Sequence, residues 1–301
     1  LEDIVNGGSG LSSNLTIYPT DAVGFIEQFI QNSIETGLNF NLELSASAPA
    51  NIDISDFDDE NEDAERIIKC VMDKLKNSQN FKNIYQAVFN EDNKINLKFE
   101  LADFADSKGG ETQAFYQHIN GQIIGIKNVI KINRDWLNDH STLFVANAII
   151  HEVVHAYLNV QQIGLGTDIY QLNNYETLGD ILISTQNGTA TIQVNGQTVE
   201  QHDFMFTYMI PAFTNIYNQI LYDLVNQNEL DSFSDVVMPG TNTPFNINNM
   251  LYYLSTYGLK TNHEGTVVNQ SFMNEIGNNP QKVQDREFII NTVKPLTKKC
   301  N

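Results

Sequence analysis

The stretch "NAIIHEVVHAYLN" (residues 147–159) places two histidines four residues apart, with a glutamate directly after the first, in a run that is otherwise almost wholly apolar. The flanking sequence predicts a helix that begins near Ser141 or Thr142, either of which can cap it, and runs to about Val160. Apolar residues circle the whole axis, which predicts a helix buried on every side. In such a helix, each of the three polar groups would cost about 1–3 kcal/mol if it were left unpaired.

The spacing of His151 and His155 is that of two ligands to a single metal ion. Residues i and i+4 project from one helical face, so both rings can reach one ion at about 2.0–2.1 Å. Glu152 points about 100° away around the axis, where it can accept a proton from a water on that ion but is badly placed as a ligand. The alternative is a pair of hydrogen-bonded core histidines. The H-E-x-x-H pattern within a buried helix favours a metal site.

A catalytic zinc usually takes three protein ligands, and the chain has four other histidines as candidates for the third. His140 lies near the amino end of the same helix, about 16 Å along the axis from His151, and is too distant to complete the site. His118 falls in a predicted strand and His263 in a predicted loop, where each is better explained as a surface or capping residue. His202 opens a predicted helix, and the apolar residues after it would bury that helix against the motif helix.

At this point the chain resembles the SprT-like group of zincin metallopeptidases and, more loosely, secreted zinc-peptidase-like domains of the Bacteroidetes. The resemblance covers roughly residues 94–222 and depends on "HEVVHAY" (151–157), followed by a helix-starting histidine with an aromatic four residues later, here His202 and Phe206. It implies a zincin-like fold, a zinc peptidase activity and His202 as the third zinc ligand. The gap between the motifs is longer than is usual in that group, and the basic surfaces and cysteine zinc ribbon of its DNA-associated members are missing.

A carboxylate is the rival to His202. The segment "NNYETLGD" places Glu176 twenty-one residues after His155, and Asp180 four residues further on. This spacing resembles the gluzincin pattern, in which a helical glutamate binds zinc and the following aspartate orients a ligand histidine. A solvated helix carboxylate is the simpler interpretation of Glu176. His202 is therefore the favoured ligand and Glu176 the alternative.

Alternation and turn signals place a small sheet before the motif helix. "KINLKFELA" (94–102) alternates as a strand does, and "AFYQHINGQIIGIKNVIKIN" (114–133) predicts a hairpin with its turn at Asn120-Gly121. "TATIQVNGQTVE" (189–200) predicts a second hairpin. We therefore expect an α+β fold that is zincin-like, with the active-site helix packed on a small, mostly antiparallel sheet and additional helices.

Helical signals follow the motif as well. Residues 167–183 are predicted to be helical, and residues 201–227 to form one long helix that Pro211 kinks. The remainder of the chain is predicted to mix one helix with loops.

The domain organisation is predicted to be simple. Residues 1–65 are expected to form an N-terminal leader with a short helix and strand and an acidic linker, and residues 66–301 the zincin-like metallopeptidase domain. The run "DISDFDDENEDAE" (53–65) has the composition of an exposed linker ahead of a helix at 64–76. A calcium loop is the alternative interpretation of this run, although the obligatory glycine is absent.

Composition limits the partners and the compartment. The chain has 301 residues with 17 Lys and Arg against 37 Asp and Glu, a net charge of −20 that repels phosphate backbones and anionic lipids. We predict a protein or peptide substrate, no nucleic acid and no membrane insertion. Cys70 and Cys300 match no metal or redox spacing, so two unrelated thiols are the simpler interpretation and one long-range disulfide the alternative. Acidity, few cysteines and many asparagines are typical of a bacterial secreted or cell-surface protein, and the first residues have the appearance of a mature or trimmed start.

The expected chemistry is hydrolysis of a peptide bond with Zn²⁺ as cofactor. The metal lowers the pKa of its bound water toward about 7, and Glu152 takes the proton and passes it to the leaving amine. An oxyanion forms when the water attacks the carbonyl group, and a side chain can stabilise it in addition to the metal. The candidates are Tyr157, Tyr175, Tyr208 and His263. In zincins an exposed sheet edge binds the substrate, which here implies a cleft next to residues 122–133. The alternative function is a catalytically silent, metal-stabilised surface or interaction module derived from a peptidase.

Overall fold

The computed structural model of the protein describes residues 52–53, 63–86, 95–104, 108–119, 122–162, 181–186, 189–194, 197–261, 267–297 and 299–300. The strands are β1 (Ile52–Asp53), β2 (Ile95–Ala102), β3 (Gly110–Ile119), β4 (Gln122–Asn133), β5 (Ile181–Gln186), β6 (Thr189–Val194) and β7 (Gln197–Val199). The helices are α1 (Asp63–Leu75), α2 (Gln79–Gln86), α3 (Arg134–Asp139), α4 (Thr142–Gln162), α5 (Gln201–Phe204), α6 (Ile210–Leu224), α7 (Gln227–Asp231), α8 (Ile247–Ser255), α9 (Gln270–Phe272) and α10 (Pro280–Val293). The described part of the chain is therefore α+β, as predicted.

The principal sheet has the strand order β1-β2-β4-β3 and is mixed. The predicted hairpin is confirmed, because β3 and β4 are antiparallel and Ile119 pairs with Gln122. The expectation of a mostly antiparallel sheet is wrong here, since β4 lies parallel to β2, and β2 parallel to β1. Alternation shows which residues share a face of a strand but does not determine the direction of the neighbouring strand. Strand β4 (residues 122–133), beside which the substrate cleft is predicted, is paired on both sides, and in the described part of the chain its neighbour β3 is the edge strand.

A second sheet, β5-β6-β7, is antiparallel throughout. The predicted hairpin at 189–200 is confirmed by the pairing of Val194 with Gln197. The helix predicted for 167–183 is wrong over residues 181–183, which begin β5. A short apolar run fits a strand and a helix equally well, and periodicity alone does not separate them.

Helix α4 is the central helix of the protein, and its predicted extent is confirmed. Ser141 caps it, because the Ser141 hydroxyl oxygen accepts a hydrogen bond of 3.3 Å from the backbone N–H of Phe144. From residue 141 to residue 160 every side chain is buried except that of His151. The segment Thr142–Val160 is long and apolar enough to cross a membrane by length and composition, and 94% of it is buried inside the protein. Helix α4 packs against β3 and β4 on one side and against α1, α2 and α6 on others.

The C-terminal segment returns to the first turn of α4. Cys70 in α1 is disulfide-bonded to Cys300, 230 residues away, so the interpretation of two unrelated thiols is wrong. The backbone N–H of Ser141 donates to the carbonyl of Lys294, and that of Lys299 to the hydroxyl of Thr142, at 2.9 and 2.8 Å. A pairing this distant in sequence leaves no local signal, because it depends on where the chain ends in space.

The predicted boundary between residues 65 and 66 falls inside α1. Ala64 and Glu65 are buried, and Glu65 forms an ion pair of 2.7 Å with Arg134. Ile52–Asp53 pair with β2. The sheet and the core therefore include residues on both sides of that boundary.

The long helix predicted for 201–227 is interrupted where a kink was expected. A π-helical turn, Met205–Met209, separates α5 from α6. Pro211, near the start of α6, has no N–H to donate to the carbonyl of Thr207. The widened turn lies directly before Pro211 and accommodates the missing bond.

Several predictions lie outside the described residues. They are the N-terminal leader with its short helix and strand, most of the acidic run at 53–65, the rival ligand Glu176 with Asp180, and the candidate donors Tyr175 and His263.

Candidate metal centre

Three histidines from two helices meet at one point. His151 and His155 lie on successive turns of α4, and His202 lies in α5. The Nε2 atom of His155 is 3.1 Å from Nε2 of His151 and 2.9 Å from Nε2 of His202. His155 and His202 are buried, and His151 is partly exposed. These three side chains lie close enough together to bind one metal ion.

The separations between the nitrogens agree with the size of a metal site. Metal–nitrogen distances of about 2.0–2.1 Å in a tetrahedral zinc site correspond to nitrogen–nitrogen separations of about 3.3 Å. The two separations that His155 makes, 3.1 and 2.9 Å, are only slightly shorter. The rings are thus arranged around a point that an ion of this size fits with small movements.

The hydrogen bonds of two of the rings fix the nitrogen that faces the centre. His155 Nδ1 lies 2.5 Å from Oε1 of Gln201, and His202 Nδ1 lies 2.6 Å from the carbonyl oxygen of Thr261. Both oxygens can only accept, so each Nδ1 carries the hydrogen and each neutral ring has an unprotonated Nε2. His155 and His202 therefore present lone pairs to each other, an arrangement that a shared cation stabilises. Metal-ligating histidines commonly have such acceptors behind them.

Glu152 points from α4 toward the edge strand β3. The hydroxyl oxygen of Thr112 lies 2.8 Å from its Oε2 and 2.9 Å from its backbone carbonyl oxygen, so one hydroxyl hydrogen is shared between two acceptors. Gly110 leaves the space for this side chain, because a Cβ there would lie 2.9 Å from Cγ of Glu152. Burial raises the pKa of Glu152 to about 7, against a lowering by the Thr112 hydrogen bond. A carboxyl group with this pKa exchanges its proton readily near neutral pH.

A loop after α8 forms the wall behind two of the histidines. Gly258 has a φ of 85°, and a Cβ there would lie 3.0 Å from Cε1 of His151. The left-handed backbone and the close approach both require glycine at this position. Arg286 fixes the start of the loop, since its Nε donates to the hydroxyl of Thr256 at 2.8 Å. The end of the loop supplies the Thr261 carbonyl that binds His202.

The structure also describes His140, Tyr157 and Tyr208 among the predicted candidates. His140 contacts the carbonyl of Trp136 through Nδ1 at 2.8 Å and stacks on that indole, which agrees with its exclusion from the site. Tyr157 is 3% exposed and sits in the core, whereas Tyr208 is half-buried and packs on Phe204. The structure brings His202 to the motif histidines, and Glu176 lies in the part of the chain that is not described.

Sequence reasoning missed the residues that support the ligands, although one signal was available. Asn147 and Asn159 continue the four-residue spacing of His151 and His155, so four polar side chains form one stripe along an apolar helix. Asn159 accepts a hydrogen bond of 2.9 Å from Nε2 of Gln201. The other supporting residues are distant in sequence and have no comparable pattern; they are Gly110, Thr112, Gly258 and Thr261.

No family model, curated protein or solved structure matches the chain. What the site does must be inferred from its own residues.

Proposed function

We propose that this protein is a zinc-dependent metallopeptidase in which Glu152 acts as the general base. The observation that carries the proposal is the convergence of three Nε2 atoms beside a buried carboxyl group on the same helix. Three imidazoles leave a fourth position for water, which is the arrangement of a catalytic zinc site. Imidazole also suits copper and nickel, so the identity of the metal belongs to the experiment.

His151, His155 and His202 would hold the zinc ion, which would supply Lewis acidity toward a water molecule and a carbonyl group. Glu152 accepts the proton of the attacking water and delivers it to the leaving amine nitrogen. Burial raises the pKa of the Glu152 carboxyl group, which favours uptake of the proton that this group then passes on. Thr112 holds the carboxyl group in place while it exchanges the proton.

The proposed substrate is an extended peptide that pairs with β3. In the described ranges no strand pairs with the outer edge of β3. An extended peptide can add to such an edge through main-chain hydrogen bonds. Gly110 and Thr112, which contact Glu152, belong to this strand, so a peptide bound along it would pass close to the general base.

We also propose that the fold is zincin-like and related to the SprT-like group. The arguments are the "HEVVHAY" helix, a mixed sheet with its edge strand beside the site, and a third histidine that begins a second helix. The Cys70–Cys300 disulfide supports a secreted or cell-surface location, because such bonds persist in oxidising compartments.

The proposal is tested by metal analysis together with a screen for new amino termini. Wild type and Glu152→Gln are incubated with a protein library, and Glu275→Gln, a carboxylate that pairs with Lys282, serves as the matched control. We expect all three proteins to bind about one zinc per chain, and only Glu152→Gln to lose cleavage. Zinc binding with no cleavage by the wild type would favour the silent, metal-stabilised module. Absence of metal from the wild type would refute the proposal outright.

A further inference from the structure

A chain of hydrogen bonds connects His155 to the sheet and is buried at its Asn159–Asn128 end. His155 Nδ1 donates to Oε1 of Gln201 at 2.5 Å, and Nε2 of Gln201 donates to Oδ1 of Asn159 at 2.9 Å. Nδ2 of Asn159 then donates to Oδ1 of Asn128 at 3.2 Å. Asn128 and Asn159 are 0% and 8% exposed. The chain, which we call the amide relay, joins α5, α4 and β4.

All donors of the amide relay point in the same direction, away from His155. The relay ends at Asn128, whose Nδ2 is buried and has no hydrogen-bond partner among the described residues. A side-chain amide carries a donor on one side and an acceptor on the other, so the same relay can form in reverse if all three amides turn over. In the reversed relay Gln201 would donate to Nδ1 of His155, and the ring would carry its proton on Nε2.

Only one of the two directions is compatible with a metal ion. A neutral imidazole binds a metal through its unprotonated nitrogen, and Nε2 of His155 is the atom that faces His151 and His202. The observed direction leaves a buried N–H donor of Asn128 without a partner, whereas the reverse would leave a carbonyl oxygen, which proteins tolerate somewhat better. The amides alone therefore gain little from the observed direction, and metal binding at His155 supplies a reason for it.

We propose that Gln201, oriented by Asn159 and Asn128, is a positioning residue that selects the metal-binding tautomer of His155. This inference rests on the proposed metal site, and it adds the residue that keeps Nε2 of His155 unprotonated and able to bind the ion. Gln201 directly precedes His202, so the amide relay also ties the helix of the third ligand to α4. His202 needs no such relay, because the backbone carbonyl of Thr261 can only accept.

Two substitutions at one position separate hydrogen bonding from packing. Gln201→Met keeps the length of the side chain and removes both of its hydrogen bonds. In Gln201→Glu one carboxylate oxygen accepts from His155 Nδ1 and the other from Nδ2 of Asn159. With the amides of Asn159 and Asn128 both turned over, Oδ1 of Asn159 accepts from Nδ2 of Asn128, the donor that is unsatisfied in the wild type. The glutamate variant therefore preserves the metal-binding tautomer.

The measurements are the zinc dissociation constant, from competition with a chromophoric chelator, and the visible spectrum of the cobalt-substituted protein. We expect Gln201→Met to bind zinc about 10- to 100-fold more weakly with an altered cobalt spectrum, and Gln201→Glu to stay close to the wild type in both. Gln219→Met is the matched control, since it removes the 2.5 Å hydrogen bond from Ser78 to α6. Unfolding of the chelator-stripped proteins measures the structural cost of each change.

The outcomes for the amide relay and for the metal site are distinct. Unchanged zinc affinity in Gln201→Met, with zinc bound by the wild type, overturns the amide relay alone. A wild type that binds neither zinc nor cobalt overturns the proposed function and the amide relay with it. If Gln201→Met does not fold, Asn159→Asp carries the test, because an aspartate only accepts and holds Gln201 in the metal-binding orientation. Weaker zinc binding by Asn159→Asp would then overturn the proposal.

Discussion

Replacing Gly258 with alanine perturbs the metal centre from behind. The new Cβ would lie 3.0 Å from Cε1 and 3.3 Å from Nδ1 of His151, so the ring must move by a few tenths of an ångström. The φ of 85° adds a separate cost, because a left-handed backbone costs an alanine about 1–2 kcal/mol. The substitution therefore affects the free energy of unfolding and the position of one ligand.

The two costs appear in different measurements. The backbone strain lowers the free energy of unfolding of the metal-free protein by about 1–2 kcal/mol. The displaced ring can turn away while no ion holds it, but a bound ion forces it back toward Gly258. An off-rotamer side chain costs about 0.5–1.5 kcal/mol. A cost of that size weakens zinc binding by about 2- to 10-fold.

Denaturant unfolding of chelator-stripped protein and zinc titration against a competing chelator measure the two effects. The matched control is Asn242→Ala, because Asn242 has a φ of 56° and lies exposed in a loop that packs on α10 through Asp285. We expect both variants to lose similar stability and only Gly258→Ala to bind zinc more weakly. Equal zinc affinity in the two variants would refute the contact argument at His151.

Three further predictions concern the general base, the ion and the disulfide. Thr112→Val should keep zinc and lower kcat/KM. The Thr112 hydrogen bond lowers the pKa of Glu152, so its loss should raise that pKa and move the acidic limb of the pH–rate profile to higher pH. An acidic limb at the wild-type pH would contradict the role of Thr112. Zinc at about 100 times its Kd should stabilise the wild type by about 2.7 kcal/mol, whereas His202→Ala should show no zinc-dependent shift of Tm; a shift in that variant would remove His202 from the ligands. Replacing Cys70 and Cys300 by serine opens a loop of 230 residues, so the free energy of unfolding should fall by up to about 5 kcal/mol. Chemical denaturation of this variant, and of the wild type with and without reductant, measures the change, and identical curves would refute a stabilising role.

Local signals in the sequence predicted the local parts of the fold. The extent of α4 followed from apolar periodicity and a capping serine, and both hairpins followed from Asn-Gly pairs between alternating runs. The parallel pairing of β2 with β4 and the Cys70–Cys300 bond were not predicted, because both depend on contacts between distant segments. The same division holds within the site. His151, Glu152 and His155 share one helix, so their spacing was enough to predict that they lie together.

The supporting residues required tertiary information. His202 was placed at the site by resemblance to a family. Thr112, Gly258 and Thr261 have no spacing relation to the motif, and each contacts it only because a strand or loop packs against α4. A one-dimensional pattern identifies the residues proposed to perform the chemistry. The groups that orient them depend on which elements become neighbours.

The polar stripe on α4 also explains how an apolar core tolerates these ligands. Asn147 accepts a hydrogen bond of 2.6 Å from the hydroxyl of Tyr217 in α6, and Asn159 is bonded both to Gln201 ahead of His202 and to Asn128 in β4. A shift of α6, α5 or β4 along α4 by one turn would break these bonds. Each buried polar group left unpaired would then cost about 1–3 kcal/mol. The asparagines at the two ends of the stripe therefore favour one register of the elements packed around α4, and in that register the two histidines between them meet His202. The polar residues that flank the candidate metal site thus also specify the packing that brings its three histidines together.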